Sequence, residues 1–128
     1  VTSHAMMVAE ELHVAPQKLE CLFAEADRVY DNPAIGYQMT GGSTSVKTAW
    51  EPLRTAAATA REMLISAAAE QWKVPKEECV AADGSVTHQG KTLRYGALAE
   101  AAAKQPVPKV SLRTKDFRVL GQPIDPSL

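Results

Sequence analysis

The chain has 128 residues, 45% of them hydrophobic and 23% charged, with a formal charge of −1. That size and balance fit one soluble globular domain rather than a disordered or membrane chain. With no basic excess to neutralise a phosphate backbone, no nucleic-acid partner is expected, and no run of about 18 apolar residues supplies a membrane segment.

Ala5, Val8, Ala9 and Leu12 recur at helical spacing, with Ser3 placed as N-cap and Pro16 beyond the end, which predicts a short amphipathic helix. Over residues 19–25, Leu19, Cys21 and Phe23 alternate with Glu20 and Leu22, the pattern of a strand. From Asp27 to Ser45 no periodicity holds and Asn, Pro, Gly and Ser accumulate, so a long loop is expected, of a length that is usually functional. Val46, Trp50, Leu53, Ala57, Ala60, Leu64, Ala67 and Trp72 then trace one stripe of a long helix. Pro52 leaves two starts for it: Thr48 with Glu51 closing a capping box, or an early start at Ser45 followed by a bend, which is the favoured reading.

After Pro75 the period changes to two. Asp83-Gly84 and Gln89-Gly90 are turns that favour positive φ, so Cys79–Ala82, Ser85–His88 and Lys91–Arg94 read as a three-stranded meander. The Ala-rich run Gly96–Lys104 is a helix by propensity, and Val110–Leu120 continues as an extended tail or edge strand. The fold class expected is α/β (α+β): one long helix packed through Trp50, Leu53, Leu64 and Trp72 on a small mixed or antiparallel sheet. No internal repeat is visible.

Cys21 and Cys79 are too far apart for a zinc or iron–sulfur motif and read as small buried hydrophobes, with a disulfide left open. His4, His13 and His88 lack the spacing of paired ligands and read as surface or capping residues, so no metal ligand is assigned. Lys47, Arg54 and Arg61 recur every seven residues and read as a solvated face, with Lys47 one turn from the glycines. The chain holds 21 Ala but only 7 aromatic residues, so its core is thin. Opening on Val1 and ending after a proline-containing tail, it reads as a piece of a larger protein, with an apolar patch exposed when taken alone.

Chemistry concentrates at Gln38-Met39-Thr40-Gly41-Gly42-Ser43-Thr44-Ser45, at the mouth of the long helix. Two glycines allow successive N–H groups to turn towards one point, and the helix N-terminus adds unsatisfied donors and its positive dipole end, which suits an anion. A plain turn and cap is the structural alternative. A nucleotide P-loop is excluded, because Gly42 occupies the lysine slot and Asn32-Pro33 interrupts the strand that should lead in.

This loop, taken with Trp50-Glu51-Pro52-Leu53-Arg54, Ala60-Arg61-Glu62-Met63-Leu64, Trp72-Lys73-Val74-Pro75 and Arg94-Tyr95-Gly96-Ala97-Leu98, resembles the molybdenum-binding large subunit of the xanthine dehydrogenase and aldehyde oxidase family. It is similar in flavour to bacterial isoquinoline 1-oxidoreductases and aldehyde dehydrogenases. The resemblance implies that residues 1–123 are part of a molybdopterin cofactor-binding domain, with 124–128 a tail. It also implies a molybdenum pyranopterin cofactor, in bacteria often the cytosine dinucleotide form, whose phosphate meets Gln38, Thr40, Gly41, Gly42, Ser43 and Ser45. The reaction implied is hydroxylation of an electron-poor carbon in an aldehyde or N-heterocycle, with electrons leaving through an iron–sulfur subunit or domain. The family's catalytic glutamate and its glycine-glutamine-glycine segment have no counterpart here, so no catalytic residue is assigned. The isolated chain is expected to be inactive and to hold no cofactor without the rest of the large subunit. The compartment, periplasmic or cytoplasmic, stays open. The competing class is a non-catalytic structural or interaction domain whose loop is empty.

Overall fold

The computed structural model describes residues 2–123, so the expected tail, 124–128, lies outside the described residues. The order is α1 (Thr2–Leu12), α2 (Thr44–Trp72), β1 (Val80–Ala82), β2 (Ser85–His88), β3 (Lys91–Arg94) and α3 (Tyr95–Ala103), with 3-10 turns at Pro16–Lys18, Arg28–Tyr30 and Lys76–Glu78. The three strands form an antiparallel sheet in the order β1-β2-β3, in the register Ala81↔Val86 and Val86↔Leu93. The α+β class and the meander are as the sequence implies. Asp83, Gly84, Gln89 and Gly90 all have positive φ, the backbone that two-residue turns need to match strand twist.

The core lies between the C-terminal half of α2, the sheet and α3. Leu64, Ile65, Ala67, Ala68 and Ala69 pack with Cys79, Ala81, Val86, Leu98 and Ala102. Val86 and Leu98 are fully buried, each contributing roughly 1.5–3 kcal/mol. Alanine on α2 lets the sheet come close, which is how a thin core still closes.

Helix α2 starts at Thr44, the early start, with Pro52 inside it; the Thr48–Glu51 capping box is not formed, because Thr48 is already helical and its hydroxyl donates to the Thr44 carbonyl. Ser3 likewise lies inside α1 and is not its N-cap. Both long helices end the same way. His13 and Lys73 take left-handed backbone (φ 56° and 55°), and the next amide, Val14 or Val74, donates to the carbonyl of Ala9 or Ala69.

Several expectations are corrected. Residues 19–25 form no strand: every residue from Glu20 to Glu25 is exposed, Phe23 at 92%, and no described strand lies beside them. Cys21 is exposed as part of that segment, whereas Cys79 is buried, and both are free. Trp50 does not reach the sheet; it sits edge-on to Phe117 of the returning tail at 6.2 Å. That tail forms no strand either. It is held by the buried Glu10 carboxylate, which accepts the amides of Arg118, Val119 and Leu120 and faces Arg113.

The expected solvated face of basic residues is also wrong at two of its three positions. Arg54 is 3% exposed and donates from Nε and Nη2 to Glu11 Oε1 on α1, while its guanidinium lies 4.5 Å from the centre of the Trp50 ring. Arg61 donates to the Glu11 backbone carbonyl. Periodicity on α2 alone placed these side chains outward, but α1 covers that side and brings a carboxylate with it.

Candidate functional site

The loop before α2 is organised by Asn32, which is buried at 9% exposure. Its Oδ1 accepts the Ala34 amide, its carbonyl accepts those of Ile35 and Gly36, and its own amide donates to the Tyr37 carbonyl. Asn followed by Pro makes this local turn natural, because the asparagine side chain substitutes for a backbone acceptor. From that anchor, Asn32 Nδ2 donates to Thr44 Oγ1 at 2.7 Å, and Thr44 Oγ1 donates to the Gly41 carbonyl at 3.0 Å. Asn32 was read from the sequence only as a strand breaker; the Asn-Pro pair before a glycine turn was the signal for its role.

Those bonds bend the chain sharply into α2. Gly42 has φ 62° and Ser43 has φ 55° with ψ 32°, two left-handed residues in succession ahead of the right-handed helix. Such alternation turns neighbouring N–H groups to one side, the geometry of an anion-binding concavity. Ser43 occupies the N-cap position, yet its side chain makes no capping hydrogen bond, and no acidic residue lies in the first turn. A β-carbon on Gly42 would meet only the Thr44 methyl at 3.7 Å, so the space over this residue is open. One on Gly41 would strike the mobile end of Met39, 2.6 Å away.

The six expected contact residues divide by this geometry. Thr40, Gly42 and Ser43 are exposed, while Gly41 and Ser45 are half-buried beside them. The Ser45 carbonyl accepts from His4 Nε2 at 3.1 Å, tying the first turn of α2 to α1. Gln38 is different, because its Nε2 donates to the Glu25 carbonyl and so joins the loop to the extended segment. Thr44, between them in sequence, is committed to Asn32 and Gly41. Lys47 is exposed one turn into α2. A neutral loop with a helix terminus behind it and hydroxyls around it offers a donor set of the kind that a cofactor phosphate would use.

Elsewhere the histidines are tied to backbone carbonyls: His13 Nδ1 donates to Ala81 and His88 Nδ1 to Glu78. His88 is buried under Trp72, contrary to a surface reading. Burial pushes the Tyr95 hydroxyl up to about 12, and it donates to the Leu12 carbonyl. Among the described residues no helix is long and apolar enough to cross a membrane.

Comparison with known proteins places the chain in a family. The isoquinoline 1-oxidoreductase subunit beta of Brevundimonas diminuta is 34% identical over 110 residues, which is 84% of this chain and 14% of that protein. The membrane-bound aldehyde dehydrogenase [pyrroloquinoline-quinone] of Gluconacetobacter polyoxogenes is 27% identical over 95 residues, 74% of this chain and 12% of that protein. The chain thus spans about one seventh or less of the length of these relatives. The family described as molybdopterin cofactor-binding domain matches residues 1–123, which include the asparagine-anchored loop and the whole of α2, and the chain belongs to that family.

Proposed function

We propose that Thr40, Gly41, Gly42, Ser43 and Ser45 hold the phosphate of a molybdenum pyranopterin cofactor inside a larger oxidoreductase. The observation that carries this reading is the pair of left-handed residues, Gly42 and Ser43, opening a 29-residue helix whose N-cap side chain is unspent. In the bound state the amides of Gly42 and Ser43 and the hydroxyls of Thr40, Ser43 and Ser45 donate to phosphate oxygens, while the Thr44 amide stays on the Gly41 carbonyl, and the α2 dipole favours the negative charge. Gln38 holds the loop against the extended segment and offers its amide oxygen, so its part is to position. The cofactor supplies two-electron redox chemistry at its metal. The names of the relatives support an aldehyde or N-heterocycle as the parent's substrate and a partner subunit, which we take to carry iron–sulfur clusters. A cytosine dinucleotide extension is part of the same proposal.

The test is molybdenum and phosphorus analysis of the purified full-length parent, unaltered and as Gly42→Val. Valine is strained at φ 62° and fills the open space over the loop. The unaltered protein is expected to carry molybdenum with at least one phosphorus per metal, and the variant to lose both together. Pyrroloquinoline quinone contains no phosphorus, so a phosphorus-free quinone cofactor would sink the proposal. So would unchanged molybdenum in a folded variant, and the loop would then belong to a structural domain.

A further inference from the structure

The chain contains a structural repeat that its letters conceal. Residues 9–22 and 69–82 follow the same backbone course at an offset of 60: helix end, left-handed residue, valine, 3-10 turn, extended exit. The residue before the 3-10 turn has φ −68° and ψ 137° at Ala15, and φ −61° and ψ 139° at Pro75. The residue after it has φ −95° and ψ 130° at Leu19, and φ −95° and ψ 134° at Cys79. The closing hydrogen bonds correspond as well, Leu19 to Pro16 and Cys79 to Lys76. Only Ala9/Ala69, Glu10/Glu70 and Val14/Val74 are identical.

The second copy continues into β1, which pairs with β2 and buries Ala81 at 5% exposure. By the same offset Glu20–Leu22 is the counterpart of β1. It leaves the turn from a residue with the same backbone angles and has strand-like composition, yet no described strand pairs with it, and Leu22 and Phe23 are 81% and 92% exposed. The reason is local. After β1 the chain turns back at Asp83-Gly84, whereas after Phe23 it runs through Glu25-Ala26-Asp27 into the Arg28–Tyr30 turn and away. No hairpin partner is supplied from this side.

We infer that Leu19–Ala24, which forms no strand within the described residues, becomes one by pairing with a strand of the parent polypeptide outside this chain. Six residues is an ordinary strand length, and an apolar extended edge is a template for strand addition. The relatives, of which this chain spans 14% and 12%, have the length from which such a strand comes. Pairing would satisfy the backbone N–H and C=O groups around Leu22 and Phe23, and through the Gln38–Glu25 hydrogen bond would fix the base of the glycine-serine loop. The inference uses the longer parent but not the cofactor assignment.

Hydrogen–deuterium exchange of the full-length parent, resolved to single amides across residues 19–24, reads this directly. At least every second amide is expected to exchange on the order of 100-fold or more slower than in an unstructured peptide, and to stay slow when the protein is diluted to a monomer. Exchange at the unstructured rate throughout would overturn the inference. Protection that vanishes on dilution as a dimer dissociates would assign the strand to a second copy and overturn it equally. Loss of molybdenum from the sample leaves this readout unaffected, so its failure is distinguishable from failure of the phosphate reading.

Discussion

Glu11 and Arg54 form an ion pair closed off from water, with side chains 4% and 3% exposed and Nη2 to Oε1 at 2.7 Å. The pair joins α1 to α2, and it orients the guanidinium against Trp50 and Phe117. Both charges lose hydration there, so the pair adds little over an apolar replacement but leaves a large deficit when halved. Arg54→Met is therefore expected to lower unfolding free energy by about 3–5 kcal/mol. The double variant Glu11→Leu with Arg54→Met is expected to recover most of it. Urea unfolding followed by tryptophan fluorescence measures both, and an Arg54→Met midpoint equal to that of the unaltered chain would refute the buried-pair account.

Asn32 acts on the loop through its two side-chain hydrogen bonds, one to Thr44 Oγ1 and one from the Ala34 amide. Each such bond contributes about 0.5–1.5 kcal/mol, so Asn32→Ala loosens the loop by about 1–3 kcal/mol. In the full-length parent this is expected to reduce molybdenum retained through gel filtration by roughly 5-fold or more, with the global melting temperature little changed. Asn32→Asp keeps the acceptor and loses the donor, and is expected to fall between. Full retention by Asn32→Ala would show that the loop does not depend on this anchor.

What the sequence disclosed and what it hid follow from the range of the forces involved. Asp83-Gly84 and Gln89-Gly90 specify their turns locally, so the meander was readable to within a residue, as were the α2 C-terminus before Lys73-Val74-Pro75 and the start of α3. The burial of Arg54 was unreadable, because its cause, Glu11, is 43 residues away. The segment after Leu19 has the alternation of a strand, but pairing needs a neighbour that the described chain does not provide. At the candidate site, glycine and serine in sequence pointed to a turn at a helix mouth, while the coupling of Asn32 to Thr44 appeared only in three dimensions. The offset-60 repeat has no sequence signature, because left-handed backbone is carried by His13 once and Lys73 once, residue types with nothing in common at this position.

His13 links stability to pH. Its Nδ1 donates to the Ala81 carbonyl at 2.9 Å, and its other ring nitrogen faces Arg61 Nη1 at 3.3 Å, which leaves no room for a second proton. Burial first, then Arg61, Arg118 and Arg113, hold its pKa below the ordinary imidazole value, against the opposing effect of the hydrogen bond it donates to the Ala81 carbonyl. In the window between the unfolded value near 6.5 and the lower folded value, the unfolded chain binds a proton that the folded chain refuses. Stability present above about pH 6.5 is thus lost as pH falls through that window. His13→Asn retains a donor and suits the left-handed backbone at φ 56°, so it is expected to flatten the dependence between pH 8 and 5 with little change at pH 8. An unchanged slope in that range would assign the acid sensitivity to other groups.

The last prediction concerns the 128-residue chain by itself: supplied with cofactor, it is expected neither to retain it nor to oxidise aldehydes or N-heterocycles. Tight retention of a cofactor requires a site that covers most of its surface, and in the proposed reading the largely exposed loop from Gln38 to Ser45 holds only the phosphate. Even with the full hydrogen-bond set of Thr40, Ser43 and Ser45, a phosphate on a water-facing helix terminus gains only the modest net energy of exposed contacts. Turnover further needs a base within hydrogen-bond reach of the reacting oxygen and a route for electrons. Glu10 and Glu11 are the buried carboxylates among the described residues, and both are committed, to the 118–120 amides and to Arg54. Equilibrium dialysis against the cofactor, with a dye-linked assay over a panel of aldehydes and heterocycles, tests both halves. Retention after dialysis, or turnover above a heat-denatured control, would show that the walls and the base already lie within these residues.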